Sequence, residues 1–199
     1  MNVSYHMAEE EDLETVLDLT IRAGDGMYEA MLGGVVPGIS ARRLLRLALK
    51  AEESPLSLGN TLVARDEEGR TVGIALCYPD SERVLPPILS TLARGTHWTP
   101  FLPLLAPGRE GGWYLHALAI AEGAQGQGLG RALVKLAAEV GAARDHTHMT
   151  LHAWADNAVA QTLYGGLGFE VVERLSVTLG AKGDARIMLA MEAPLPLSP

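Results

Sequence analysis

Gln125-Gly126-Gln127-Gly128-Leu129-Gly130-Arg131 sets three glycines on alternate positions, immediately before a run in which Leu129, Leu133, Leu136, Ala137 and Val140 recur with helical period up to Ala143. Before it stands WYLHALAI, Trp113 to Ile120, mostly apolar and read as a strand. A glycine loop between a strand and a helix has a physical use. The first turn of a helix carries unsatisfied N–H groups and a partial positive charge, and glycine removes the Cβ that would hold an anion away. The stretch is suited to holding phosphate.

Three phosphate-binding patterns compete for it. A P-loop needs Lys and then Ser or Thr after its last glycine, but Arg131 and Ala132 stand there. The dinucleotide fingerprint needs a glycine where Arg131 sits and an acid about twenty residues further on, where Thr150 sits. The third pattern is Gln or Arg, two residues, Gly, one residue, then Gly or Ala, and Gln125, Gly128 and Gly130 satisfy it. In this the chain resembles the pyrophosphate loop of the GNAT superfamily of acyl-CoA-dependent N-acyltransferases. Leu118-Ala119-Ile120 resembles that family's Leu-Ala-Val strand end. Asp156 to Glu170, with Asn157, Ala158, Tyr164, Gly168 and Phe169, resembles its Asn, Ala, Tyr, Gly-Phe signature. Met7-Ala8 with Asp12-Leu13 also resembles a typical start. The resemblance covers nearly the whole chain except about 79–112, and it departs at Glu122-Gly123-Ala124, where the family often has Pro-Glu-Tyr.

The rest of the sequence bounds these readings. With 199 residues, 48% of them hydrophobic, the chain is expected to form a single domain over 1–199 with an insertion at about 79–112. One cysteine, Cys77, excludes an internal disulfide framework, and MNVSYHMAEEED lacks the marks of a signal peptide, so a cytoplasmic protein is expected. Charges, prolines or glycines interrupt every apolar run before the length of about eighteen residues that a membrane span needs. A net charge of −8 disfavours nucleic acid, whose binding needs clustered Lys and Arg. The same acidity tolerates a cationic amine, although it also serves plain solubility.

Periodicity places a strand at 3–7, a helix at about 8–23 behind the acidic turn Glu9 to Asp12, and a helix over 41–51. Strands at 60–65 and 71–78 read as a hairpin around Gly69. Six prolines and apolar pieces such as Val84-Leu85 and Ile88-Leu89 fill the insertion, whose 98–105 portion reads as packing or as a lid. Strand 149–154, helix 156–167 and a closing pair of strands, 169–177 and 185–191, complete an α/β (α+β) pattern. The resemblance implies a GNAT fold: a mixed, twisted sheet of about six to seven strands flanked by helices, whose parallel strands 113–120 and 149–154 splay apart.

It also implies the site. Acetyl-CoA would be the co-substrate and a primary amine the acceptor, with no metal, and a homodimer is the family habit. The donor would be held by Leu118, Ala119, Ile120, Gln125, Gly126, Gln127, Gly128, Leu129, Gly130, Arg131 and Asn157, its pyrophosphate on the loop and its pantetheine arm on the backbone of Leu118 and Ile120. Tyr164 falls at the family's general-acid position, where a phenol with an ordinary pKa near ~10 can protonate the leaving sulfur. His116 is the candidate base, with a water chain as the alternative. The strand resembles that of arylalkylamine N-acetyltransferases, Tyr114 standing in for a second histidine. Strict alternation puts Tyr114, His116, Leu118 and Ile120 on one face and Trp113, Leu115, Ala117 and Ala119 on the other. His146, His148 and His152 lack the Cys or carboxylate partners of a metal site, and Cys77 reads as a core residue. The alternative function is a non-catalytic acyl-CoA-binding sensor; the acceptor is left open.

Overall fold

A computed structural model describes residues 2–83, 96–106, 108–179 and 185–197. The pieces Val84-Leu85 and Ile88-Leu89 lie outside the described residues. Seven strands form one sheet in the order β1-β2-β3-β4-β5-β7-β6: β1 Ser4–Met7, β2 Thr61–Arg65, β3 Thr71–Pro79, β4 Gly112–Ile120, β5 His148–Trp154, β6 Glu170–Thr178 and β7 Ala185–Pro194. Only β4 and β5 pair in parallel; the other neighbours are antiparallel. The mixed sheet with flanking helices is the architecture that the resemblance implies. No helix among the described residues is long and apolar enough to cross a membrane.

Helices cover both faces. On one lie α1 (Leu13–Gly24), α2 (Met27–Leu32) and α3 (Ala41–Lys50), together with Trp98, Phe101 and Leu104 from the insertion. Residues 98–105 therefore contribute packing, in a 3-10 turn followed by α4 (Leu102–Leu105). Spacing explains α1 and α3: Leu13, Val16, Leu17 and Thr20 are buried along one stripe, and Ala41, Leu45 and Leu49 along another. The Ser40 hydroxyl caps α3 by accepting from the Arg43 N–H at 3.3 Å. On the other face α5 (Leu129–Ala143) and α6 (Ala158–Gly165) bury Leu133, Val134, Ala137 and Tyr164 against the sheet. A Cβ at Gly141 would lie 2.6 Å from the Trp113 ring, so only glycine lets α5 close on β4 here.

Two irregularities create the cleft. The β4–β5 ladder runs from Gly112 opposite His148 to Leu115 opposite Leu151 and stops, so the two strands diverge beyond it, as the resemblance implies. On the other edge of β4 the register jumps: Ala117 faces Leu76, Leu115 faces Cys77, and His116 is the extra residue of a β-bulge. The bulge reverses the phase of alternation. Tyr114, Ala117 and Ala119 pack on the α1–α3 face, while Trp113, Leu115, Leu118 and Ile120 pack on the α5 face. The strict alternation expected from sequence holds up to the bulge and fails after it.

Candidate active site

The glycine loop adopts the geometry its composition predicts. Gly126 and Gly128 have φ of 74° and 78°, a region costly for residues with a Cβ, and Gly128 precedes α5. The α5 ladder begins with the Ala132 N–H donating to the Gly128 carbonyl at 3.1 Å, which leaves the amides of Leu129, Gly130 and Arg131 without intrahelical acceptors. Gln125 donates from Nε2 to the Ile120 carbonyl at 3.2 Å, and Arg22 of α1 donates to the same oxygen. Because the Ala121 N–H turns to the Val72 carbonyl of β3, the backbone polar groups of Ile120 and, two residues back, Leu118 face the cleft, whereas those of Ala119 face β3. Arg131 reaches across to donate to the Gly166 carbonyl at 3.0 Å, tying α5 to the end of α6. Asn157 caps α6, its Oδ1 accepting from the Ala160 N–H at 3.0 Å, so its NH₂ end is the one left to a ligand.

A single cavity of about 1920 Å³ runs from this loop through the splay to α2 and α3. Leu118, Ala119, Ile120, Gln125, Gly126, Gly128, Leu129, Gly130, Arg131, Asn157, His116 and Tyr164 all line it. Gln127 lies in the loop with an exposed side chain and is outside the lining. Tyr164 enters from α6, packed on the Phe169 ring at 5.7 Å between centroids. Burial pushes its phenol above the ordinary tyrosine value, with the neighbouring Cys77 adding to the effect. Cys77 itself is buried and held as the thiol, which is unsuited to nucleophilic attack.

His116 is held at both ring nitrogens. The Tyr28 hydroxyl lies 2.8 Å from Nε2 and the Tyr78 hydroxyl 2.9 Å from Nδ1. A neutral imidazole has one N–H and one lone pair, so one tyrosine donates to the ring and the other accepts from it. Next along the sheet, the Tyr114 hydroxyl lies 2.9 Å from His152 Nδ1, with the Arg83 guanidinium 5.0 Å above the Tyr114 ring. Arg83 is anchored from Nε to Asp80 at 2.7 Å, and Thr150 of β5 donates to the same buried carboxylate at 2.9 Å. Burial, seconded by Arg83, pulls His116 down to about 4 and His152 to about 3. The native chain therefore keeps both rings neutral, where an unfolded chain protonates them below about pH 6.5.

Stability linked to these rings is complete above about pH 6.5 and is lost as pH falls towards 4. Urea midpoints measured over that window should fall with pH, and His116→Gln should flatten the slope; an unchanged slope would show that His116 is not held neutral. The other histidines do not converge. His148 Nδ1 is 3.1 Å from the Thr147 hydroxyl, and His146 lies beside Trp113 at 5.0 Å. Among the described residues no group of three or more His, Cys, Asp or Glu could hold a metal ion.

Sequence reasoning missed Tyr28, on α2, and Tyr78, Asp80 and Arg83, which stand within six residues at the end of β3. It also missed Arg186 of β7, which pairs with Asp25 at 2.9 Å and Asp156 at 3.0 Å and lies 4.1 Å above the Trp154 ring. The glycines around MYEAML were a signal for α2, although nothing local marks Tyr28 as a partner of a strand 88 positions away.

Comparison with known proteins gives the same picture. The sequence model of the Acetyltransferase (GNAT) family matches residues 40–169. Mycothiol acetyltransferase of Corynebacterium kroppenstedtii is 40% identical over 96 residues, 45% of this chain and 24% of that protein, so the chain spans about a quarter of that relative. Among solved structures, an acetyltransferase superposes with a TM-score of 0.67 at 20% identity, covering 96% of this chain and 99% of its own. A Salmonella typhimurium protein solved with its cofactor acetyl-CoA superposes at 0.60 with 16% identity, covering 100% of this chain and 97% of its own. At these identities the two structures speak to the fold.

Proposed function

The chain belongs to the GNAT acetyltransferase family, and from that premise we propose that it moves acetyl from acetyl-CoA to a primary amine by direct attack in a ternary complex. The observation that carries this reading is the convergence of a phosphate-suited loop, a cleft-facing strand edge, a buried phenol and a clamped histidine on one cavity. A diphosphate suits the first-turn amides of α5, and a pantetheine arm, with its amides, suits the backbone of Leu118 and Ile120. Occupying the Ile120 carbonyl means displacing Arg22 or Gln125 from it. Gly128→Ala would force a side chain into the left-handed region at a cost of about 1–2 kcal/mol and put a methyl on the open side of the loop. We expect acetyl-CoA affinity to fall about tenfold in isothermal titration; unchanged affinity would move the pyrophosphate elsewhere.

The proton chemistry follows from burial. The amine nitrogen bonds to the acetyl carbon as the C–S bond breaks, and the departing sulfur takes the proton of Tyr164. A histidine at about 4 is too weak to strip an alkylammonium of pKa near ~10.4, so the amine binds in its neutral form. His116 receives the proton released as the C–N bond forms. Its nitrogens are occupied, so that proton travels through a hydroxyl: Tyr28 takes it and passes its own to Nε2, while the Nδ1–H donates to Tyr78. A non-catalytic acyl-CoA sensor would need none of these groups. Thiol release over a panel of amines tests the choice: amine-dependent release supports the enzyme, while donor binding with no release on any amine supports the sensor.

A further inference from the structure

The cavity is larger than the roughly 300–1,000 Å³ usual for one small ligand. Past the Tyr28–His116 pair it continues between α2, α3 and α4, where the walls are Met31, Val36, Leu44, Leu47, Ala48 and Leu105. Leu47 is 54% exposed, and the other five are only partly covered. Apolar side chains left uncovered around a concave space mark a ligand surface. Most of the charges around this space are paired. Asp25 and Asp156 are both held by Arg186, Asp80 behind the wall is held by Arg83, and the remaining lining carboxylates, Glu53 and Glu82, are exposed. A second ammonium held among the apolar walls would meet aliphatic carbon, because the lining carboxylates outside ion pairs, Glu53 and Glu82, are solvent-exposed.

We propose that the acceptor is an amine whose single basic nitrogen meets the Tyr28 hydroxyl and whose body is apolar, lodged between α2, α3 and α4. This rests on the acyltransferase reading above. It also narrows what the net charge of −8 suggests, because the acidity of the whole surface is not the acidity of the pouch. The acceptor fits the pouch better than an extended acyl chain does. Tyr28 belongs to the same short helix as Met31, so a nitrogen at the hydroxyl carries its substituent along that helix into the pouch.

The test is thiol release from acetyl-CoA with linear primary amines from propyl to octyl, set against putrescine, agmatine and spermidine. Burial of each methylene contributes about 0.8 kcal/mol, so kcat/KM should rise about fourfold per carbon until the pouch is filled. Polyamines should fall below the alkylamine of equal length. Leu44→Ala should cut kcat/KM for octylamine about tenfold, with the affinity for acetyl-CoA unchanged. Turnover with no dependence on amine length, or a preference for polyamines, would overturn the inference and leave the acetyltransferase standing. So would a length dependence that appears only when octanoyl-CoA replaces acetyl-CoA. Failure of every amine to turn over would overturn both.

Discussion

Tyr164→Phe is expected to lower kcat by about 10²- to 10³-fold while acetyl-CoA affinity stays within about twofold. The reason is the separation of jobs along the cavity. On the proposed reading the donor is held by the loop and strand edge and not by the Tyr164 hydroxyl, whereas the leaving sulfur needs a proton at the moment the C–S bond breaks. Burial raises the phenol's pKa, so the acid form persists across the working range. The phenyl ring of the variant keeps the contact with Phe169, which limits the structural cost. Rapid-mix thiol release together with titration calorimetry separates the two effects. Equal losses in binding and turnover would assign Tyr164 to packing.

The second large effect concerns Tyr28 and His116. Each of Tyr28→Phe and His116→Gln should reduce kcat by about 10²-fold, and the double variant should be no worse than either alone, because both interrupt one path. Multiplying effects would mean two independent roles. The pH profile adds a readout that a merely structural pair would not move. With His116 at about 4, kcat/KM should show no inflection near 6.5 and should climb with unit slope towards the amine's own pKa. An acid limb near 4 belongs to His116 and should vanish in His116→Gln. A limb near 6.5 in the native protein would place a differently held base in the site.

How much of this was legible in the sequence depends on the range of the interaction. The seven strands follow from period-two runs and turn glycines, and α5 follows from a stripe repeated over four turns; both are local patterns. The glycine loop was legible for the same reason, since Gly126 and Gly128, at φ of 74° and 78°, take up the turn that leads into the helix start. The bulge at His116 was not legible. WYLHALAI alternates smoothly on paper, and only the pairing with β3 shows that one residue is extra and that Leu118 and Ile120 change face. Tyr28 lies on a six-residue helix between glycines, too short to announce itself by periodicity, and its partner is set by tertiary packing. The same holds for Arg186, whose two aspartates lie 161 and 30 positions away. His116 could be chosen from its place on the strand, yet its weakness as a base follows from burial and Arg83, which only the fold supplies.

The most direct test of the central claim is to mix the protein with acetyl-CoA, first without and then with octylamine, following both thiol release and the intact mass of the protein. Direct attack in a ternary complex predicts no thiol release before the amine is added, stoichiometric CoA and N-acetyloctylamine after it, and at no stage the added mass of about 42 Da that an acetylated protein would carry. A burst of thiol with an acetylated protein in the absence of amine, or bound acetyl-CoA that no amine ever discharges, would contradict it.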